Sequence, residues 1–401
     1  EAELSTRKAL EINPKFADAH SNLGSILKDL GQLKEAELST RRALEINPDF
    51  AEAHMNLGAI LKDDSKLKEA ELSIRKAIQI NPDFAEAHNN LGHILLKQQK
   101  FLEGWKEYEW RWKANDLSIG TKLETIRPEW SPGCKGRVLL WPEQGVGDQL
   151  LFCSLIPDFL EHIDKLILQI DRRLIPLFKR TFGGEIQYIE KGSPINIQDY
   201  DYHISMGSLP KFLRTSLESF NTCKQLRLKA NEQKSNQFRL DLQGTSNEKI
   251  IGISWKSKSN NKSLTLEQLI LAIYSPGLRF LSLQYGDVDN EINLIQSKYN
   301  ITIHQRKDID IFDNLDDLSS LINACDQVVS IDNITINLAG ALGIQCKTIL
   351  DTGSRWRFGE ENHHCYWFPS LHLYRSDQFQ NWEQPIQQIK QDLQKEYLLN
   401  D

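Results

Sequence analysis

The run Glu143-Gln144-Gly145-Val146-Gly147-Asp148 sets a carboxylate behind two glycines, directly after an apolar segment of strand length. Glycine lets a backbone approach a ligand closely, and a carboxylate in such a turn can serve as the base toward a hydroxyl. An aspartate before the apolar helix expected from Gln149 is also an ordinary N-cap, and the residues alone leave both roles open. Farther along, Ser254-Trp255-Lys256-Ser257 opens a polar loop that ends at Lys262-Ser263. Two lysines beside hydroxyls can neutralise a diphosphate. Ser330-Ile331-Asp332-Asn333 then precedes a helix expected over Ile334–Leu342, carrying Asn337, whose N-terminal N–H groups and dipole suit a phosphate. Asp332 repels an anion there unless it takes a sugar or ribose hydroxyl instead. Gln284 ends a strand at the same edge. These spacings describe a nucleotide-type cleft and do not identify a sugar.

Such residues need strand ends to stand on. Apolar runs of strand length recur at Arg137–Trp141, Lys165–Ile170, Ile186–Glu190 and Tyr200–Met206, and again at Ile250–Trp255, Phe280–Gln284, Ile301–Gln305, Gln327–Asp332 and Lys347–Asp351. Strands alternating with helices predict parallel sheets, and the polar stretch Asn231–Lys249 divides the two sets. The pattern predicts two doubly wound, Rossmann-like α/β lobes, over residues 137–245 and 246–401, with ligands at the C-terminal strand ends.

Upstream the pattern changes to an internal repeat. Asn13-Pro14, Asn47-Pro48 and Asn81-Pro82 recur every 34 residues, as do Leu23-Gly24, Leu57-Gly58 and Leu91-Gly92, and Ala9, Ala43 and Ala77. A period of this length, with small residues where helices touch, is that of a tetratricopeptide-repeat α-solenoid, here residues 1–118, joined by a linker at 119–136. The chain opens part-way through a repeat, and further repeats are expected before it. Phe101–Trp112 drifts from the pattern and reads as a capping helix; Trp105, Tyr108, Trp110 and Trp112 either dock the array on the next domain or form an aromatic ligand box. Asn22, Asn56 and Asn90 share one repeat position. Stacked, they form a ladder whose amides can pair with an extended peptide backbone, or they are simply solvated asparagines.

Composition excludes several classes. A formal net charge of -7 offers no basic excess for a nucleic acid. No apolar run reaches spanning length and no leader pattern opens the chain, so a cytoplasmic protein without a membrane span is expected. The six cysteines form no Cys-x-x-Cys pair, and His363-His364-Cys365 are three neighbours in a row, a poor metal set, so no metal and no cofactor are expected.

Pro128-Glu129-Trp130 through Leu140-Trp141 to Glu143–Asp148, Gly252-Ile253-Ser254-Trp255, and Ser330-Ile331-Asp332 with Leu338-Ala339-Gly340-Ala341-Leu342-Gly343 together resemble a bacterial family of tetratricopeptide-fused glycosyltransferases. The Glu103–Trp112 segment belongs to the same pattern, so the resemblance covers essentially the whole chain. It is similar to the heptosyltransferase-like family and, more distantly, to protein O-linked N-acetylglucosamine transferases. The resemblance implies a GT-B fold: a first lobe facing the acceptor through Gln144, Gly145 and Gly147, and a second lobe holding a nucleotide-sugar as co-substrate. It also implies a C-terminal helix, about Trp382–Tyr397, returning to the first lobe. Asp148 matches the position of the family's proposed base. Trp255, Lys256, Lys262, Ser263, Gln284, Ser330, Asp332, Asn333, Asn337 and Arg355 are the expected donor-side residues. The chain departs from the pattern at Asp332-Asn333, where threonine usually follows the aspartate, at Asn337, where histidine is usual, and at Lys262-Ser263, which replaces an arginine-serine pair. Three readings result: transfer of a sugar to a protein or peptide held by the repeats, transfer to a glycan or lipid-linked sugar, or a degenerate transferase acting as a scaffold.

Overall fold

The computed structural model describes residues 1–114, 120–243, 247–257, 263–352, 355–360, 363–376 and 381–397. The chain divides into two compact units. The first is Glu1–Ile119 with Arg214–Leu217 and Thr352–Glu360; the second holds Gly120–Leu213, Glu218–Asp351 and Glu361–Asp401.

Among the described residues, seven α-helices build the first unit: α1 Ala2–Ile12, α2 Ala17–Asp29, α3 Leu33–Ile46, α4 Ala51–Asp63, α5 Leu67–Ile80, α6 Ala85–Lys97 and α7 Phe101–Tyr108. The recurring Asn-Pro pair explains their spacing. Asn13, Asn47 and Asn81 end α1, α3 and α5 in extended backbone, and their side-chain oxygens accept the N–H groups of Lys15, Asp49 and Asp83. Such an Asx turn, followed by a residue with no N–H to give, stops one helix and starts the next. His20, His54 and His88 lock the same corner by donating from Nε2 to the carbonyls of Pro14, Pro48 and Pro82 at 3.0, 2.9 and 2.9 Å. Ala36, Ala43, Ala70 and Ala77 are wholly buried where helices cross. Arg7, Arg41 and Arg75 each pair with a glutamate 28 residues on, Glu35, Glu69 and Glu103. These exposed pairs fix register more than they add stability.

The last repeat is closed differently. At the place of Ser39 and Ser73, which donate to the carbonyls of His20 and His54, stands Glu107, whose carboxylate meets Nδ1 of His88 at 2.6 Å. The His88 ring stacks on Trp110 at 4.0 Å. Trp105 donates its indole N–H to the carbonyl of Arg214 and meets Trp356 edge-on, and Arg111 lies buried against Tyr108 and Trp112. The aromatic residues of the capping segment are therefore packing groups, and the segment turns 3-10 after Tyr108.

The described residues of the second unit form two all-parallel sheets. One has the order β3-β2-β1-β4, from β1 Arg137–Trp141, β2 Lys165–Ile170, β3 Ile186–Glu190 and β4 Tyr202–Ser205. The other runs β10-β9-β8-β5-β6-β7, from β5 Lys249–Ser254, β6 Leu278–Ser282, β7 Ile303–His304, β8 Gln327–Ile331, β9 Cys346–Leu350 and β10 Leu371–Arg375. Counted from β5, this is the doubly wound order 3-2-1-4-5-6, whose ligand crevice opens where the winding reverses, at the C-terminal ends of β5 and β8. In the first sheet the reversal lies between β1 and β4. The sequence expectation missed β10 and ran β7 too long. The helix Glu383–Tyr397 does not return to the first sheet: Ile386, Ile389 and Leu393 join Ile251, Ile253 and Ile270 in the core of the second. Its apolar residues at i, i+3 and i+7 make one stripe, and the second sheet supplies the matching face. Among the described residues no helix is long and apolar enough to cross a membrane.

Candidate functional site

The turn after β1 opens α8, Val146–Cys153. Gly145 is its N-cap and Asp148 sits in its first turn, so the aspartate does not cap the helix. It stands instead where a carboxylate is favoured by the helix dipole. A side chain added at Gly145 would meet only Asp148 Oδ2, at 3.9 Å, whereas one at Gly147 would fall 3.1 Å from Nδ2 of Asn337. A side chain at Gly147 would thus crowd the Asn337 amide of another element, whereas one at Gly145 would make only ordinary contact with its own turn. The turn is held from behind by Gln149, a buried amide in an otherwise apolar stretch of helix. Its Nε2 donates to the Gln144 carbonyl at 3.1 Å and its Oε1 accepts the Asp171 N–H at 2.8 Å. Lys191 also donates to the Gln144 carbonyl, at 3.1 Å.

At the crevice of the second sheet the expected ligand groups are largely committed to one another. Gln284 Oε1 accepts from Ser254 Oγ, Trp255 N and Lys256 N at 3.0, 2.9 and 2.7 Å. Asn333 caps the helix Ile334–Leu342 by accepting the Thr335 N–H, and its Nδ2 donates to Ser254 Oγ at 2.7 Å and to the Lys256 carbonyl at 3.2 Å. Ser330 Oγ lies within reach of two acceptors, the Ile331 carbonyl at 3.0 Å and Asn333 Oδ1 at 3.2 Å, between which its one proton is shared. Where parallel strands end, backbone N–H groups lose their ladder partners, and buried ones must find others. Gln284 meets that need for Trp255 and Lys256, and Asn333 does the same for Thr335 at the start of the helix, with Ser330 hydrogen-bonded to Asn333. These bonds hold the strand ends and the helix cap together, and Gln284 also lines the cavity beside them.

Trp255 is likewise a core residue: its ring is fully buried, and its indole N–H donates to Glu291 Oε2 at 3.0 Å. The Lys256 ammonium pairs with the same carboxylate. Ser263 closes the loop neck by accepting from Ser257 N. Lys262 lies outside the described residues, and Asp332 is half-buried between the end of β8 and the helix cap. Arg355 is exposed and belongs to the helical unit. Asn337 donates to the Asn333 carbonyl at 3.2 Å and is brought against the Gly145–Asp148 turn at Gly147.

A cavity of about 350 Å³ opens beside this crevice, at the C-terminal ends of β6 and β7. Gln284, Asp287, Asp289, Arg306, Asp310 and Phe312 are among its walls. Arg306 is paired with Asp241 and Asp308, and Lys307 with Asp289. Phe312 is 47% exposed, a large apolar ring turned to the solvent side, with Tyr285 at 5.8 Å. No sequence signal marks Phe312 apart from any other loop aromatic. For Gln149 there was one: a lone amide in the run Gln149-Leu150-Leu151-Phe152-Cys153.

On the helical unit, Asp18, Asn22, Ser25 and Asp29 share one face of α2, and Glu52, Asn56, Ala59 and Asp63 the same face of α4. Asn56 Nδ2 donates to Ser21 Oγ at 3.0 Å, and Asn90 Nδ2 points to the Met55 sulfur at 3.4 Å. Two of the three asparagines thus turn an amide to the first helix of the preceding repeat, α2 for Asn56 and α4 for Asn90.

The tetratricopeptide repeat family model matches residues 17–50, and a further TPR repeat model matches residues 66–99. The N-terminal helices are therefore tetratricopeptide repeats, a module that suggests a protein partner. Protein FlbA of Caulobacter vibrioides is 30% identical over 303 residues, 70% of this chain and 50% of its own length. That share exceeds what the repeats alone provide, so the similarity extends into the α/β unit. The chain spans about half the length of this curated relative. Among solved structures, MamA matches at 23% identity over 27% of this chain and 63% of its own, with a TM-score of 0.25. Pseudomonas aeruginosa pilF matches at 29% identity over 28% of this chain and 51% of its own, with a TM-score of 0.26.

Proposed function

We propose that the chain is a glycosyltransferase of GT-B type that moves a sugar from a nucleotide-sugar to an acceptor, a protein or peptide captured by the repeats. The observation that carries this reading is the approach of Gly147 to Asn337, which sets the turn bearing Asp148 against the first turns of the helix at the second sheet's crevice. An inverting transfer needs a base on one face of the sugar and stabilisation of the leaving diphosphate on the other. Asp148 is the group to take the acceptor proton, and the 334–342 helix start with Lys256 is the side to receive the diphosphate. The neighbouring cavity has the volume for a nucleotide, and Phe312 offers a ring on which a base can stack. A cytoplasmic location belongs to the same proposal.

A second reading, a scaffold descended from a transferase, is favoured by the self-satisfied crevice: Lys256 is spent on Glu291, and Asn333 on its own cap. One experiment separates the two. The full chain is melted with uridine, guanosine, adenosine and cytidine diphosphates and their sugars, since ligand bound to the native state raises its apparent stability. The transferase reading expects one nucleotide to raise the melting temperature, an effect retained in Asp148→Asn, while that variant loses sugar transfer by a factor of about 100 or more. No shift with any nucleotide rejects it in favour of the scaffold.

A further inference from the structure

A run of hydrogen bonds joins the turn bearing Asp148 to the Phe312 wall of the cavity, passing from the first sheet's loops to the second's. From the Gln144 carbonyl the run passes to Gln149 Nε2 at 3.1 Å, and from Gln149 Oε1 to the Asp171 N–H at 2.8 Å. The Asp171 carboxylate then accepts from Arg173 N, Nε and one terminal nitrogen at 3.0, 2.8 and 2.9 Å. The other terminal nitrogen donates to the Phe312 carbonyl at 3.1 Å, with the guanidinium 5.5 Å from the Phe312 ring centre. Gln149 is 2% exposed. The Arg173 guanidinium holds the Asp171 carboxyl below the usual carboxylate range, so the two stay a charged, forked pair at neutral pH.

We infer that Gln149, Asp171 and Arg173 are positioning residues that couple the conformation of the Gln144–Asp148 turn to that of the Phe312 cavity wall. Each has a reason to be its own type. An amide can accept at its oxygen and donate at its nitrogen about 2 Å away, and a planar guanidinium can fork onto a carboxylate and still present a nitrogen elsewhere. Arg172, one residue earlier, forms an exposed pair with Asp313 and lies outside the run. If the transferase reading holds, the consequence is that seating a nucleotide against Phe312 stiffens the turn that presents the base. The linkage itself does not depend on that reading.

Spatial continuity alone does not show coupling; reciprocity does. Amide hydrogen exchange of the full, ligand-free chain is followed in peptides covering 143–149 and 305–313, for wild type, Arg173→Gln, Gln149→Met and the control Arg172→Gln. Arg173→Gln is expected to speed exchange in the distant 143–149 peptide about fivefold, the size of one lost hydrogen bond, and Gln149→Met to do the same at 305–313. Arg172→Gln should leave 143–149 unchanged. The inference is overturned if each variant loosens only its own neighbourhood, or if Arg172→Gln matches Arg173→Gln. Should the buried Gln149→Met fail to fold, the part-exposed Arg173→Gln and its control decide alone. Because no nucleotide is present, this outcome is separate from that of the melting screen.

Discussion

At the scale of single residues, the site is set by which polar groups are already spoken for. Gln284 and Asn333 have the right types for a ligand, and each already accepts backbone N–H groups, those of Trp255 and Lys256 and that of Thr335, that would otherwise be orphaned. Asn337 is placed differently, between the cap of its own helix and Gly147. A methyl group at position 147 would stand 3.1 Å from its amide nitrogen, closer than such atoms normally approach. Gly147→Ala should therefore push the Asn337 amide from the Asn333 carbonyl, and Asn337→Ala should relieve the crowding. A double-mutant cycle on thermal stability is expected to return a coupling of about 0.5–1 kcal/mol. Additive effects would mean that the two elements do not press on one another.

At the scale of elements, the repeats show why a shared sequence position need not cost the same in each copy. Gly24, Gly58 and Gly92 all lie where paired helices touch. A Cβ at Gly24 would fall 1.9 Å from Thr40 Oγ1 and one at Gly58 2.5 Å from Ile74 Cδ1, with the nearest backbone atoms, the Ala36 and Ala70 carbonyl oxygens, at 3.1 Å in both. At Gly92 it would meet the backbone nitrogen of Tyr108 at 2.7 Å. A side chain can rotate away and a backbone cannot without moving α7. Alanine at Gly92 should cost about 2–3 kcal/mol, and alanine at Gly24 or Gly58 about half of that. The rank order of melting temperatures, followed by helical circular dichroism, checks it; a Gly24 variant as damaged as the Gly92 one would contradict the argument.

At the scale of the whole molecule, the α/β unit carries a built-in acid sensitivity. Burial pushes His203, His304 and His372 below the ordinary histidine value. His203 shows the structural side of this, since its Nδ1 accepts the indole N–H of Trp141 at 3.2 Å and so must be unprotonated. The unfolded chain takes up protons at about pH 6.5 while the folded one resists, so the stability these groups supply is present above about pH 6.5 and lost as pH falls through their folded values. The melting temperature is expected to drop between pH 7 and 5, with a shallower slope in His203→Gln. A flat profile would show that these rings protonate freely in the fold.

Whatever depends on local chemistry and short periods was legible in the chain before any coordinate. The 34-residue spacing of Asn-Pro and Leu-Gly announces the repeats, because each Asx turn and each close helix contact is encoded within its own unit. Arg137–Trp141, Lys165–Ile170 and Ile186–Glu190 were readable as strands, and Ile334–Leu342 as a helix, from apolar runs with clear punctuation. Packing in three dimensions settled which of the polar residues at the strand ends were committed to the framework. Trp255 and Gln284 sit 29 residues apart, and Gln149 and Arg173 reach partners on loops that no period announces. The allocation of a hydrogen bond depends on what lies within about 3 Å of it in space. β10 and the docking of the last helix escaped for the same reason: their partners are chosen by the packed face of the second sheet.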